Sequence, residues 1–465
     1  MNQENTTPIT TNLGFPRVGL RRELKRAVEG YWKGRVERDD LLATARSLRQ
    51  RHWTQQREAG IEHIPSNDFA LYDHVLDAAI TVGCIPPRYL AIEDELDRMF
   101  AMARGRQGED SSLAALEMTK WFDTNYHYIV PEIAVGQSFE LDARHILAAI
   151  EEARDLGIET RPVLLGPVSF LLLSKMTPGA PERAAPLDSL EELLPVYGEL
   201  LHTLASAGVA WVQLDEPCLV TDLEETAVGA YRRAFSELAA IEDRPRVLLA
   251  SYFGALGPHL NLAASSGLDA LHVDLVRAPE QLDEVLTALR DAPEMLLSLG
   301  LVNGRNIWRA DLDRAHEMTR KALAALGAQR VMVGPSCSLL HSPVDLDAEQ
   351  ELSDELRPWL AFGVQKLEEI RTIADIAPHA EPSDPRLEES RRAVASRRSS
   401  QSTRVPAVRA RLSEVNEALL QRASAFTERA RSQRELLQLP AFPTTTIGSF
   451  PQTRDIRRAR ADWRA

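Results

Sequence analysis

The stretch LDSLEELLPVYGELLHTLASAGVAWVQLDEP (187–217) passes from a long amphipathic segment, through Gly208, into a short apolar run that ends on Asp-Glu-Pro. The first part has helical spacing. The second reads as a buried parallel strand, because a strand covered on both faces needs a continuous apolar run rather than alternation. The same kind of run recurs at RPVLLGPVSF (161–170), RVLLASYF (246–253), LHVDLVRAP (271–279), MLLSLGLVNGRN (295–306) and RVMVGPSCSLL (330–340). ADLDRAHEMTRKALAALGA (310–328) supplies another helix, with an apolar stripe and a glycine stop. Alternating strands and helices predict an α/β fold with a parallel sheet. Polar residues follow each run: Asp215 and Glu216, Asp274, Asn303 and Arg305, Ser336 and Cys337. In a (β/α)8 TIM-type barrel that edge is the active-site face. An open doubly wound sheet is the alternative, since no Gly-rich phosphate loop decides between them.

Outside this region, residues 30–110 read as mainly helical, as an insertion or an extra layer would. From about residue 380 the chain turns rich in Arg, Ser, Ala and Glu, and it has helical spacing after Pro406. This segment is expected to be a solvated linker helix with an apolar stripe packed on a neighbour. The 465 residues carry a formal net charge of −14, which argues against a generic nucleic-acid or anionic-membrane binder. Three scattered cysteines, Cys84, Cys218 and Cys337, suggest neither a disulfide framework nor a Cys-rich zinc site. The polar N-terminus and the lack of a run of about 18 apolar residues lead to the expectation of a soluble, cytoplasmic protein.

The two ends repeat each other. TTNLGFPRVGLRRELKRA (10–27) and TTTIGSFPQTRDIRRARA (444–461) share a Thr-rich entry, a Gly, Phe-Pro and an Arg-rich helix start. A strand-like TTTIGSFP so near the last residue is expected to be the first element of a second copy of the domain.

LGFPRVGLRREL (13–24), EMTKWFDTNYHYIVPE (117–132), WVQLDEP (211–217), GLVNGRNIWR (300–309), PSCSLLHSPVDL (335–346) and FPTTTIGSFPQT (442–453) together resemble the cobalamin-independent methionine synthases. That resemblance implies two face-to-face (β/α)8 barrels joined by a linker. It also implies methyl transfer from 5-methyltetrahydropteroyltri-L-glutamate to L-homocysteine, without cobalamin. The catalytic zinc of the family, held by His, Cys, Glu and Cys, lies in the second barrel. The implied layout here is an N-terminal barrel over 1–380, a helical linker over 381–441 and the first element of a truncated C-terminal barrel over 442–465. Such a chain has no metal ligands or catalytic residues of its own, depends on the C-terminal barrel of the same protein, and is expected to be inactive alone.

Methyl transfer from a tertiary amine to a thiol needs a thiolate, which zinc can impose, and a proton for the departing nitrogen. His127, His272 and His341 stand isolated, so a metal role for Cys337 is disfavoured against that of a small buried residue. Arg17, Arg21, Arg22 and Lys25 form a basic cluster in an acidic chain, with Arg21 and Lys25 expected as i,i+4 neighbours on a helix. Arg forks and a Lys point charge suit a polyglutamate tail. The resemblance assigns folate binding to Arg22, Glu23, Leu24, Lys25 and Lys120, and homocysteine contact to Ile447, Gly448 and Ser449. Asp215 and Glu216 read equally as an acid/base pair or as carboxylates bonded to neighbouring loops; the resemblance favours the loops. The aromatic WFDTNYHY (121–128) reads as packing before stacking. Two other readings stay open: a non-catalytic folate-polyglutamate-binding or scaffold barrel, and an unrelated barrel lyase using Asp215 and Glu216.

Overall fold

The computed structural model describes residues 7–107, 112–446, 448 and 452–464. They fall into two compact units, Met1–Arg397 and Arg398–Ala465.

All six long apolar runs are strands, and two short ones complete the set: β1 (Ile9–Thr10), β2 (Ile64–Ser66), β3 (Thr160–Leu165), β4 (Trp211–Asp215), β5 (Arg246–Ala250), β6 (Ala270–Asp274), β7 (Leu296–Val302) and β8 (Val331–Pro335). Every pairing is parallel, in the order β1-β8-β7-β6-β5-β4-β3-β2. The two end strands meet as well. Thr11 and His63 form a parallel bridge, with the His63 N–H donating to Thr10 O at 3.0 Å and the Asn12 N–H to His63 O at 3.1 Å. The sheet is therefore closed, and the open doubly wound alternative is ruled out. Gly300 marks how tightly β7 is held. A Cβ there would lie 2.7 Å from Val273 O and 2.9 Å from Ser336 Cα, so only glycine fits.

The barrel interior is partly polar. Arg161 on β3 is buried and donates to Thr11 Oγ1 (2.8 Å), Asn12 O (2.7 Å) and Gln213 Oε1 (2.9 Å). Burial lowers its pKa to about 9, opposed by nearby Asp215. His272 on β6 bonds Ser298 Oγ on β7 at 2.8 Å.

Helices wrap the barrel. Arg38–Glu58 buries Leu41, Ala45, Leu48, His52, Trp53 and Gln56 along one face, the stripe that a 3.6-residue period produces. The mainly helical reading of 30–110 holds except for β2 and the strand Arg106–Gln107, each too short to show its pattern. A second cluster, including Leu24, Val28, Leu48, Leu76, Phe100 and Ile129, joins the segment after β1 to helices His74–Thr81 and Glu95–Arg104. A hairpin, Met118–Lys120 with His127–Ile129, packs beside them.

The unit Arg398–Ala465 holds helices Pro406–Ser413, Glu417–Leu420, Phe426–Leu437 and Arg454–Arg464. Among the described residues the expected packed stripe is found only in the helix Pro385–Ser399, whose first-unit residues Leu387, Ser390 and Ala393 are buried; after Pro406, Val408, Leu412, Phe426 and Leu436 are exposed. The backbone at Thr444–Thr446 is irregular, not a strand.

Buried titratable groups set an acid limit. Burial raises Asp68, Asp77 and Glu216 to about 7 and Asp215 to about 6, and lowers His52, His63 and His272 to about 3 and His341 to about 4. As pH falls from about 7, the folded chain binds protons on these carboxyls and gains stability. The unfolded chain binds them on the histidines from about 6.5, which costs stability. The two oppose each other until the unfolded carboxyls titrate near 4; below that only the losses continue. Urea unfolding at stepped pH is expected to give nearly level stability from pH 7 to about 4.5 and a steep fall below about 4. A steady decline from pH 6.5 would contradict this balance.

Candidate functional site

Two regions carry the chemistry of the Met1–Arg397 unit. The first is the segment after β1. Its backbone enters at Phe15, whose N–H donates to Asp68 Oδ2 at 2.8 Å. Arg17 then turns inward, donating to Ala70 O and, at 2.5 Å, to Tyr72 O, with its guanidinium 5.8 Å from the Tyr126 ring. Tyr126 OH donates to Asp73 Oδ1 at 2.9 Å, and Asp73 accepts the N–H groups of Leu76 and Ile129. This network ties the segment to the hairpin that carries Lys120.

Arg21 and Lys25 are not helical neighbours as expected. The helix begins only at Glu23, because the chain turns at Gly19 (φ 81°) and Arg22 is left-handed (φ 60°). Glu23 accepts the Arg21 N–H at 2.8 Å and an Arg51 N–H at 3.3 Å, and Leu24 is buried in the second cluster. Lys25 lies 3.8 Å from Glu29, a solvent-exposed pair worth little. The Arg21, Arg22 and Lys120 side chains are exposed and make no ion pair or hydrogen bond among the described residues.

The second region is the mouth of the barrel. Asp215 accepts from Gln213 Nε2 (2.7 Å) and Tyr252 OH (2.9 Å), so the hydrogen-bonded path from Arg161 through Gln213 runs from the interior to the mouth. Glu216 turns away from it. Its carboxylate accepts the N–H groups of Val168 (3.2 Å) and Ser169 (2.8 Å) and the Tyr231 hydroxyl (3.0 Å). This seats it at the start of helix Pro167–Leu172, against Gly166, where a Cβ would fall 2.1 Å from Oε1. The acid/base pairing of Asp215 with Glu216 is thus not formed.

Asp274 is spent on the N–H groups of Phe253, Val276 and Arg277. Asn303 and Asn306 close local turns onto Arg305 and Trp308. Arg305 pairs with Asp123 at 2.7 Å and lies 5.0 Å from the Phe253 ring. Trp121 and Tyr128 are buried, as packing requires.

Asp215 instead shares a cavity of about 60 Å³ with Asp68, His74, Trp121, Tyr252 and His341. The sequence reading passed over Asp68 and His74. The available signal was Ser-Asn-Asp (66–68), a polar strand end like the others, following a strand too short to notice.

A closed (β/α)8 barrel with its polar groups gathered at the strand ends is the architecture of a barrel enzyme domain. A family model described as "Cobalamin-independent synthase, N-terminal domain" matches residues 9–327, and one described as "Cobalamin-independent synthase, Catalytic domain" matches 442–465. The chain belongs to the cobalamin-independent synthase family.

It is 52% identical over 459 residues to a 5-methyltetrahydropteroyltriglutamate–homocysteine methyltransferase of Xylella fastidiosa (strain M23), covering 98% of this chain and 60% of that protein. A protein of the same name from Salinibacter ruber is 50% identical over 463 residues, covering 98% and 59%. The chain therefore spans about 60% of the length of these relatives. Among solved structures, a putative vitamin-B12 independent methionine synthase from Listeria monocytogenes superposes with a TM-score of 0.54 at 12% identity, covering 81% of this chain and 99% of that one. A B12-independent methionine synthase from Shewanella sp. W3-18-1 gives 0.52 at 14% identity, covering 80% and 97%. These two show a shared fold.

The residues do not fit zinc. Among the described residues no three or more His, Cys, Asp or Glu side chains are grouped to hold a metal. Cys84, Cys218 and Cys337 are free and buried, and burial pushes the first two thiols up to about 12 and the third further, away from the thiolate a metal needs. Ile447 and Ser449 lie outside the described residues, and Gly448 has open space around it. Among the described residues no helix is long and apolar enough to cross a membrane.

Proposed function

We propose that this chain serves cytoplasmic methionine biosynthesis as the N-terminal barrel of a cobalamin-independent methionine synthase, which moves a methyl group from 5-methyltetrahydropteroyltri-L-glutamate to L-homocysteine. The observation that carries this reading is the 52% identity to a methyltransferase of that name across nearly the whole chain. In this proposal residues 1–380 form the barrel, 381–441 a helical linker and 442–465 the first element of the C-terminal barrel, to which zinc and the reacting atoms belong.

Arg22, Lys25 and Lys120 supply positive charge for the carboxylates of the glutamate tail. Leu24 anchors the helix of Lys25 in the second cluster, and Glu23 fixes the turn at Arg22 through the Arg21 N–H and Arg51. Arg22 and Lys120 have no internal partner to give up, so a carboxylate ligand meets them at little cost in broken contacts. Ile447, Gly448 and Ser449 would touch homocysteine once placed by the second barrel.

The test is to incubate the chain with zinc, 5-methyltetrahydropteroyltri-L-glutamate and L-homocysteine. No methionine is expected, because nothing among the described residues makes and holds a thiolate; methionine formation would overturn the division of labour. A non-catalytic barrel that binds the folate tail is the second reading, favoured by the unpartnered Arg22 and Lys120. It predicts tail binding with no effect of this chain on methyl transfer when a catalytic barrel is supplied.

A further inference from the structure

We propose that the mouth of this barrel is itself a binding site for a small organic ammonium ion, seated in the cavity that Asp68 and Asp215 line. The proposal is independent of the methyl-transfer reading.

The cavity holds about 60 Å³, and since about 10–15 Å³ on this measure admits one water, it suits an ammonium head with two or three carbons. Its walls combine aliphatic side chains such as Leu13, Val82 and Leu164 with polar and aromatic ones. Its chemistry comes from Asp68, Asp215, His74, His341, Trp121 and Tyr252. Among the described residues Asp68 accepts hydrogen bonds only from the N–H of Phe15 and from its own backbone, although a carboxylate offers about four acceptor positions. Asp215 accepts two, from Gln213 and Tyr252.

No Lys or Arg lines the cavity. Arg161, a layer deeper, offsets part of the Asp215 charge but directs its hydrogen bonds to Thr11, Asn12 and Gln213, and among the described residues no cation acts on Asp68. Arg17, near His74, is held by the Ala70 and Tyr72 carbonyls. Burial keeps His74 and His341 neutral, so the imidazoles do not cancel the carboxylates. Trp121 and Tyr252 also line the cavity, and aromatic rings attract a cation that meets their faces. A metal ion is a poorer occupant, because these side chains do not converge as a ligand set. An organic cation can span them. An anion would meet two carboxylates and no free cation.

The test is calorimetric titration of the intact chain at pH 8 with ethylammonium chloride, with sodium acetate and ethanol as controls and L-alanine as a zwitterionic source of the same ammonium group. Saturable binding of ethylammonium at one site per chain, without acetate or ethanol binding, is expected. If alanine also binds, amino acids are the source; if it does not, simple amines are.

Asp68→Asn retains an acceptor for the Phe15 N–H and is expected to weaken ethylammonium binding at least about tenfold, the scale of one charge-assisted contact. Should that variant not fold, the unaltered chain decides the matter through pH. Binding should tighten at least about tenfold from pH 5 to pH 8 as Asp68 (about 7) and Asp215 (about 6) ionise. Asp77, on the adjoining helix and also about 7, acts with the same sign. Asp73 is occupied by Leu76, Ile129 and Tyr126. Tyr252 and His341 do not titrate in this range. No saturable binding up to about 100 mM, equal binding of acetate or ethanol, or an affinity indifferent to both Asp68→Asn and pH would overturn the proposal.

Discussion

Glu216→Ala is expected to destabilise the chain by about 3–5 kcal/mol, whereas Glu216→Gln should cost only about 1–2 kcal/mol. The carboxylate is completely buried and accepts from two backbone N–H groups and the Tyr231 hydroxyl. Alanine leaves the Val168 and Ser169 N–H groups in a dry site without an acceptor, turns the Tyr231 hydroxyl onto Ser169 Oγ 3.2 Å away, and opens a void beside Gly166. Glutamine keeps one strong acceptor oxygen. It also resembles the protonated acid, which burial makes a sizeable fraction of the native state by raising the pKa to about 7. The ratio between the two variants, read from urea unfolding midpoints, separates a structural carboxylate from a catalytic one. A catalytic acid would lose activity equally in both and leave stability alone.

The triple variant Arg22→Ala, Lys25→Ala, Lys120→Ala is expected to bind the triglutamyl folate about 100-fold more weakly, at about 1–1.5 kcal/mol for each lost charge-assisted contact with partial overlap. Its stability should change by no more than about 0.5 kcal/mol, because the three side chains are exposed and the one partner, Glu29, is a surface contact. Added salt should weaken the parent far more than the variant, since screening acts only where the charges remain. A monoglutamyl folate should barely distinguish the two proteins.

Much of the barrel was legible because its long strands are predominantly apolar and several end on polar clusters; WVQLD and ALHVD at β4 and β6 bury nearly every residue. β1 and β2 were not. Two or three residues cannot display a period, and their place in the sheet comes from long-range pairing with β8 and β3. The basic segment was visible as composition, but its geometry was not. The left-handed Arg22 delays the helix to Glu23, leaving Arg21 outside it, and Arg17 is withdrawn to bond the Ala70 and Tyr72 carbonyls. At the mouth, of the two readings of Asp215 and Glu216 the loop-bonded one is what the hydrogen bonds show: Glu216 is held by Val168 and Ser169, and Asp215 by Tyr252. What adjacency in sequence could not show is that Asp215 shares its cavity with Asp68 and Tyr252, distant in the chain.

The role given to the basic segment is tested most directly by measuring the dissociation constants of the chain for 5-methyltetrahydrofolates with one, three and five glutamates at low salt. Affinity should rise at least about tenfold from one glutamate to three, and that gain should vanish in the triple variant. Equal affinity for all three tails, or a tail-length dependence that survives loss of Arg22, Lys25 and Lys120, would contradict it.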